Sequence, residues 1–194
     1  PPNAACTFTL REGRTSQVIH DVVTRESQLG ILFLSHMNAR FLKDLFHKNK
    51  LEFTPLCAFT PCLYVRSGHP LAEFSHVVPG QFSSYPCVRF EQGHDKSQFS
   101  EELLLPNRAG RQCIYVTDRS TLFSIIRATD AYTIGTGHAA PSIIGRHLAV
   151  IPIENPLDTM TVGWIKMAGE PLSEEASHYI TILTDLLRGR ENKE

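Results

Sequence analysis

"LEFTPLCAFTPCLYVRSGHPLA", residues 51–72, reads as one long extended segment. Pro55 and Pro61 interrupt it without turning it helical, because each favours extended geometry in the residue before it. Ser67–Gly68 marks a turn, and Pro70 follows it. A long strand broken by proline has the form of a connection between two lobes, and the organisation of the chain turns on that reading.

The flanks fit it. Upstream, "CTFTLREG" (residues 6–13) alternates as a strand does. "TSQVIHDVV" (residues 15–23) carries Val18, Ile19, Val22 and Val23 as an apolar stripe at helical spacing, with Thr15 or Ser16 as N-cap. "LGILFL" (residues 29–34) is a continuous apolar run of the kind buried on both faces. Strand, helix and strand in about thirty residues make a βαβ unit with a parallel sheet. Asn38 is placed to cap a further helix with Phe41, Leu42, Leu45 and Phe46 on one face.

Downstream a second unit begins. "YPCVRF" (residues 85–90) reads as a strand, and "EQGHDKSQF" (residues 91–99) as a loop entering a helix through about Leu104. "RQCIYVTD" (residues 111–118) is a strand. "RSTLFSIIRATD" (residues 119–130) is a helix with Leu122, Ile125 and Ile126 inward. "AYTIGTG" (residues 131–137), "LAVIPIE" (residues 148–154) and "MTVGWIKM" (residues 160–167) are extended, and Trp164 reads as core. "SEEASHYITILTDLLRGR" (residues 173–190) is a final helix with Ser173 as N-cap and Gly189 as its stop. The expected architecture is α/β with two Rossmann-like lobes joined by two crossing strands. Lobe I takes residues 1–58 and 168–194, and lobe II residues 59–167. The cleft between such lobes is the natural ligand site.

Bulk properties narrow the function. The 194 residues are 42% hydrophobic and 20% charged, with a formal net charge of −1. That balance lacks the basic excess of a nucleic-acid-binding surface. No apolar run approaches the roughly 18 residues of a membrane span. Five cysteines, an odd number, and no recognisable secretory segment fit a cytoplasmic chain with reduced thiols. Cys57 and Cys62 read as small apolar strand residues, with a redox pair or half a zinc site as the alternative.

Enzyme motifs are missing. There is no G-x-S-x-G elbow and no G-x-x-x-x-G-K-[ST] loop. Gly135 and Gly137 provide two glycines of a dinucleotide fingerprint, but the third position is Ala140. No close histidine pair suggests a metal, and no cofactor is expected.

Taken in order, "LGILFL", "LCAFTPCLYVRSGHPLA", "YPCVRFEQG", "TDRSTLFSIIRATDAYTIGTG", "VIPIENPLDTMTVGWI" and "LSEEASHYITIL" resemble the effector-binding domain of LysR-type bacterial transcription regulators over roughly residues 7–187. The resemblance implies a periplasmic-binding-protein-like fold, an effector in the cleft that is often a small carboxylate or other polar metabolite, and a dimer or tetramer. It also implies a winged helix-turn-helix DNA-binding head that these residues do not include, and a first strand and helix expected ahead of Cys6. The alternative from another class is a periplasmic-type solute-binding protein of the same fold.

Four places are candidates for effector contact. Thr15 and Ser16 open the first helix, although as plain caps they need no ligand. Phe59 and Thr60 lie on the crossing strand. Gly93, His94, Lys96 and Ser97 lead into a helix of the second lobe, although a loop histidine or lysine is commonly only solvated. Ser120 and Thr121 open the next helix with Arg119 close by, where an arginine fork suits a carboxylate but also suits a plain surface position. Thr136, in the glycine turn after "AYTI", joins them as a wall of the pocket.

Overall fold

Ile19 and Val22 project from one side of α1 (Thr15–Val23) onto the strand that follows, β1 (Gly30–Leu34). The computed structural model of the protein describes residues 7–93, 112–137, 145–154 and 159–191. The stripe of residues 15–23 forms its helix as the apolar spacing predicts, but the N-cap is Arg14. Thr15 is already helical and 5% exposed, so neither it nor Ser16 caps.

In α2 (His36–Lys48) the cap is Ser35, whose N–H donates to Asn38 Oδ1 at 2.8 Å. Asn38 thus serves the helix from inside its first turn rather than as the cap. Leu42 and Phe46 on this helix are buried, with Phe41 and Leu45 at the margin. Each such side chain contributes roughly 1.5–3 kcal/mol of burial.

The chain then runs through β2 (Leu51–Phe59) into β3 (Cys62–Arg66), with a break at Thr60–Pro61. A short 3-10 turn (Pro70–Glu73), α3 (Pro79–Phe82), β4 (Cys87–Phe90), β5 (Cys113–Val116), α4 (Arg119–Ala128), β6 (Thr133–Gly135), β7 (Leu148–Pro152) and β8 (Met160–Met167) follow. The last element is α5 (Glu174–Glu191), in which Ser173 Oγ accepts from Ala176 N at 3.2 Å. This helix continues through Gly189, which does not stop it.

Two sheets result. The first has the order β1-β8-β2 and is antiparallel throughout. The parallel βαβ unit expected at the start does not form, because residues 7–14 make no strand. Phe8 and Leu10 there are 61% and 80% exposed, so the alternation buries nothing in this chain. The second sheet joins β6-β3-β7 to the parallel pair β4-β5 through the Cys87–Tyr132 bridge.

Each sheet has its own core. Leu32, Leu34, Ile165, Leu42 and Phe46 fill the first. Leu63, Val65, Phe82, Tyr132 and Ile151 lie on one side of the second, and Val88, Val116, Leu122 and Ile126 on the other, under α4. Trp164 alternates with Ile165 and faces away from the first core, where it is only half-buried.

Two antiparallel strands carry the chain between the sheets. β2 leaves the first sheet and β8 returns to it, paired in register from Leu51–Met167 to Phe59–Met160. A bulge at Leu56 shifts that register between Pro55 and Cys57. Proline is tolerated there because β2 is an edge strand.

Candidate functional site

The segment before α1 crosses to the second sheet through charge. Residues 7–14 have no regular structure, but Arg11 ties them to the first unit by binding Glu26 at 2.6 Å and approaching Asp21 at 3.7 Å. From that base Glu12 meets Arg119, the first residue of α4. Arg119 Nε and Nη2 donate to the same carboxylate oxygen of Glu12 at 2.9 and 2.7 Å. Arg14 forms a second pair, of opposite polarity, with Glu91 just after β4.

The local structure on the second side holds these groups in place. Glu91 N donates to Val116 O at 2.8 Å, which fixes the residue at the end of the β4–β5 ladder. Its other carboxylate oxygen accepts from Gly93 N at 2.6 Å. Gly93 has φ +81°, a left-handed conformation that favours glycine. A Cβ there would lie 3.5 Å from Arg14 Nη1, so this turn sits directly against the pair. Between them, Gln92 Oε1 is enclosed with no hydrogen-bond partner among the described residues. α4 is capped by Asp118, whose carboxylate accepts from Thr121 N at 2.8 Å. That bond holds the Asp118 carboxyl below the ordinary carboxylate range.

Of the twelve residues suggested by sequence, the structure brings Thr15, Gly93 and Arg119 to this junction through Arg14, Glu91 and Glu12. Thr15 is buried at the start of α1, next to Arg14. Ser16 is half-buried beside it. Ser120 and Thr121 are exposed in the first turn of α4, which opens at Arg119 and not at Ser120. Arg119 is not an idle fork, because Glu12 already occupies it.

Phe59 is 4% exposed, whereas Thr60 beside it is exposed. Thr136 is half-buried after β6, and the next residue, Gly137, stands where a Cβ would lie 2.9 Å from Cys62 Sγ. Cys57 and Cys62 are half-buried on successive strands and are not joined in a disulfide. His94, Lys96 and Ser97 lie outside the described residues, as does the helix expected after them.

Sequence reasoning missed Glu12, Arg14 and Glu91. Each adjoins a flagged residue, in "REGRTS" and "FEQGH", but only the fold makes partners of them. A separate cavity of about 260 Å³ lies at the other end of α1, lined by Val22, Arg25, Gln28, Lys166 and Glu170 among others. Its cations are already engaged, Arg25 with Glu170 and Lys166 with Glu52. Among the described residues no group of three or more His, Cys, Asp or Glu side chains is gathered as a metal would need. No helix there is long and apolar enough to cross a membrane.

Two sheet units connected by a strand pair, with charged loops meeting between them, are the plan of a periplasmic-binding-protein-like fold. Residues 4–188 match the LysR substrate binding domain. The chain belongs to that family.

As a LysR substrate-binding domain it is a ligand-sensing regulatory unit, and solved structures share its fold. The effector-binding domain of QuiR in complex with shikimate is 18% identical, with a TM-score of 0.63, covering 92% of this chain and 79% of that one. The oxidized form of OxyR is 19% identical at TM-score 0.62, covering 95% and 81%. HinK, a LysR family transcriptional regulator from Pseudomonas aeruginosa, is 12% identical at TM-score 0.63, and the match covers 91% of this chain but 59% of HinK. No curated protein sequence matches the chain.

Proposed function

We propose that this LysR substrate-binding domain senses a small polar molecule, held between the β1-β8-β2 unit and the β5-β4-β6-β3-β7 unit, and carries no catalytic activity of its own. The observation that carries the reading is the meeting of charged groups from both units at Arg14, Glu91, Glu12 and Arg119. Gln92 Oε1, enclosed beside them and without a partner among the described residues, favours a ligand that donates a hydrogen bond.

The division that goes with this reading starts from the expected lobe I (residues 1–58 and 168–194) and lobe II (59–167), with β8 (Met160–Met167) moved to lobe I because it pairs along its length with β1 and β2. The β2–β8 crossing supports it. Thr15, Ser16, Thr60, Gly93, Arg119, Ser120, Thr121 and Thr136 are the contacts we assign from the described residues, with Phe59 as a buried support. His94, Lys96 and Ser97 complete the set on sequence grounds. QuiR and CcmR are seen with shikimate and 2-PG respectively. By analogy a small hydroxylated or anionic metabolite is the class of effector. In a full-length regulator such binding controls a DNA-binding domain, in a dimer or tetramer and in the cytoplasm.

Thermal-shift screening of this chain against a metabolite library tests the proposal. A ligand at 100 times its Kd stabilises by about 2.7 kcal/mol and raises Tm. A library of sugars, hydroxy acids and phosphorylated acids that moves Tm nowhere overturns it.

A further inference from the structure

The two ion pairs between the units are unequal in how firmly their carboxylates are held. Glu91 is only 24% exposed at its side chain, and its second oxygen is tied to Gly93 N. Glu12 is 66% exposed at its side chain and stands in the irregular segment before α1. Arg119 presents both Nε and Nη2 to a single oxygen of Glu12. A guanidinium fork can bind both oxygens of a carboxylate, so this contact leaves it short of its best geometry.

We infer that Glu12 is a tethered competitor: it occupies the fork of Arg119, and an effector carboxylate binds there by displacing it. Arg14–Glu91 stays made and keeps the two units in register during the exchange. Glu12 thereby sets the concentration at which a carboxylate gains the site. A neutral ligand gains nothing from the exchange. The inference rests on the sensing function proposed above and specifies the ligand class as a carboxylate-bearing molecule.

The charge arithmetic supports the exchange. Glu12, Arg14, Glu91 and Arg119 sum to zero. An anion arriving beside the intact pairs meets no net positive charge. With the Asp118 carboxylate that caps α4 beside Arg119 counted as well, the junction moves from −1 to 0 once Glu12 swings into water, which its exposure permits, and the arriving carboxylate takes the place that Glu12 leaves. Exposed ion pairs are worth little, so a competitor of this kind shifts an affinity by about two- to five-fold.

The test follows the Nε–H resonance of Arg119 by NMR in the 194-residue chain, titrated with sodium acetate at ionic strength held constant with sodium chloride. Acetate serves as the bare carboxylate probe. In Glu12→Gln the resonance should respond at two- to five-fold lower acetate than in the wild-type chain. Glu26→Gln removes the same charge from the Arg11 pair and should titrate as wild type. Equal midpoints for Glu12→Gln and wild type overturn the inference, as does an Arg119 resonance that never responds to acetate. A matching gain in Glu26→Gln also overturns it, because the effect would then be one of net charge. The Glu12 result is read without any metabolite. A failed effector screen alongside a normal Arg119 titration therefore rejects the sensing function and leaves the competition intact.

Discussion

His69 Nε2 lies 3.2 Å from the carbonyl oxygen of Asp130, sixty-one residues further along the chain. Its Nδ1 accepts from Leu71 N at 3.0 Å, so the ring is neutral, with its proton on Nε2. It is 2% exposed and its centroid stands 4.5 Å from that of Tyr85. The histidine of "HPLA" is therefore a cross-brace between the 3-10 turn and the end of α4, and Arg66 holds the same corner by binding Asp130 at 2.6 Å.

That brace makes stability depend on pH. Burial pushes the His69 pKa below its ordinary value of about 6.5, against an opposing pull from Asp130, and Arg66 adds a lesser push in the same direction as burial. The unfolded chain then binds a proton that the folded chain refuses, so stability rises with pH. The contribution is complete above the unfolded pKa and shrinks as pH falls below it. Melting temperature measured from pH 7.5 to 5.5 should drop more for the wild type than for His69→Asn. Asparagine keeps an acceptor for Leu71 N and does not titrate. The variant itself should cost about 1–3 kcal/mol at pH 7.5. Parallel curves for the two proteins would rule out His69 as the source.

Gly163 is required for packing. It sits mid-strand in β8, opposite Leu32 and Pro55. A Cβ would stand 2.3 Å from Phe53 Cζ and 2.6 Å from Thr54 O. The Phe53 ring covers the glycine and stacks on Phe46 with centroids 6.0 Å apart. Gly163→Ala should lose about 1–3 kcal/mol or more in urea unfolding, because a backbone oxygen cannot yield as a side-chain tip can. A loss below 0.5 kcal/mol, on the order of a surface substitution, would contradict that packing.

Ile126 tests the second core. It is fully buried under α4 with Val88, Val116 and Leu122. Ile126→Ala should cost about 2–5 kcal/mol by chemical denaturation. Ile125, one residue earlier and only partly buried, should lose clearly less on the same truncation.

Once an effector is in hand, Thr15→Ala should weaken it by about five- to ten-fold, the worth of one hydrogen bond. Arg14→Gln should weaken it while moving Tm little, because exposed ion pairs add little to stability. Isothermal titration calorimetry reads the first effect and calorimetric melting the second. Unchanged affinity in both variants would move the effector away from the start of α1.

Much of the fold was legible because its signals are local. The faces of α2 and α4, the run of β1 and the Ser173 start of α5 each follow from a few neighbouring residues. The strand read into residues 6–13 failed because alternation makes a strand only where a neighbour supplies hydrogen bonds and a buried face, and the described structure supplies neither to Phe8 or Leu10. Asn38 suits the cap by residue type and Ser35 suits it equally; the spacing alone does not choose between them. Trp164 reads as core by residue type, but it alternates with the core residue Ile165, and only the arrangement of helices decides which face of β8 is covered.

The charged junction was the least legible part. Glu12 and Arg119 are 107 residues apart, and Arg14 and Glu91 are 77 apart. No spacing rule links such pairs. The sequence marks the loops that meet and does not disclose which carboxylate each arginine takes.

The bulge at Leu56 has a mechanical meaning. β2 and β8 lie side by side in the first sheet and stay bonded up to Phe59 and Met160, where the chain passes to and from the second unit, so together they act as a single torsion bar and not as two independent straps. Such a bar resists splaying and yields to rotation along its length. A bulge adds right-handed coil and a bend at one point, which is where the bar gives first. A molecule captured between the units would therefore be reported outward mainly as a change of angle, a wrench of one half against the other about the axis of β2 and β8, with little change in how far apart they stand.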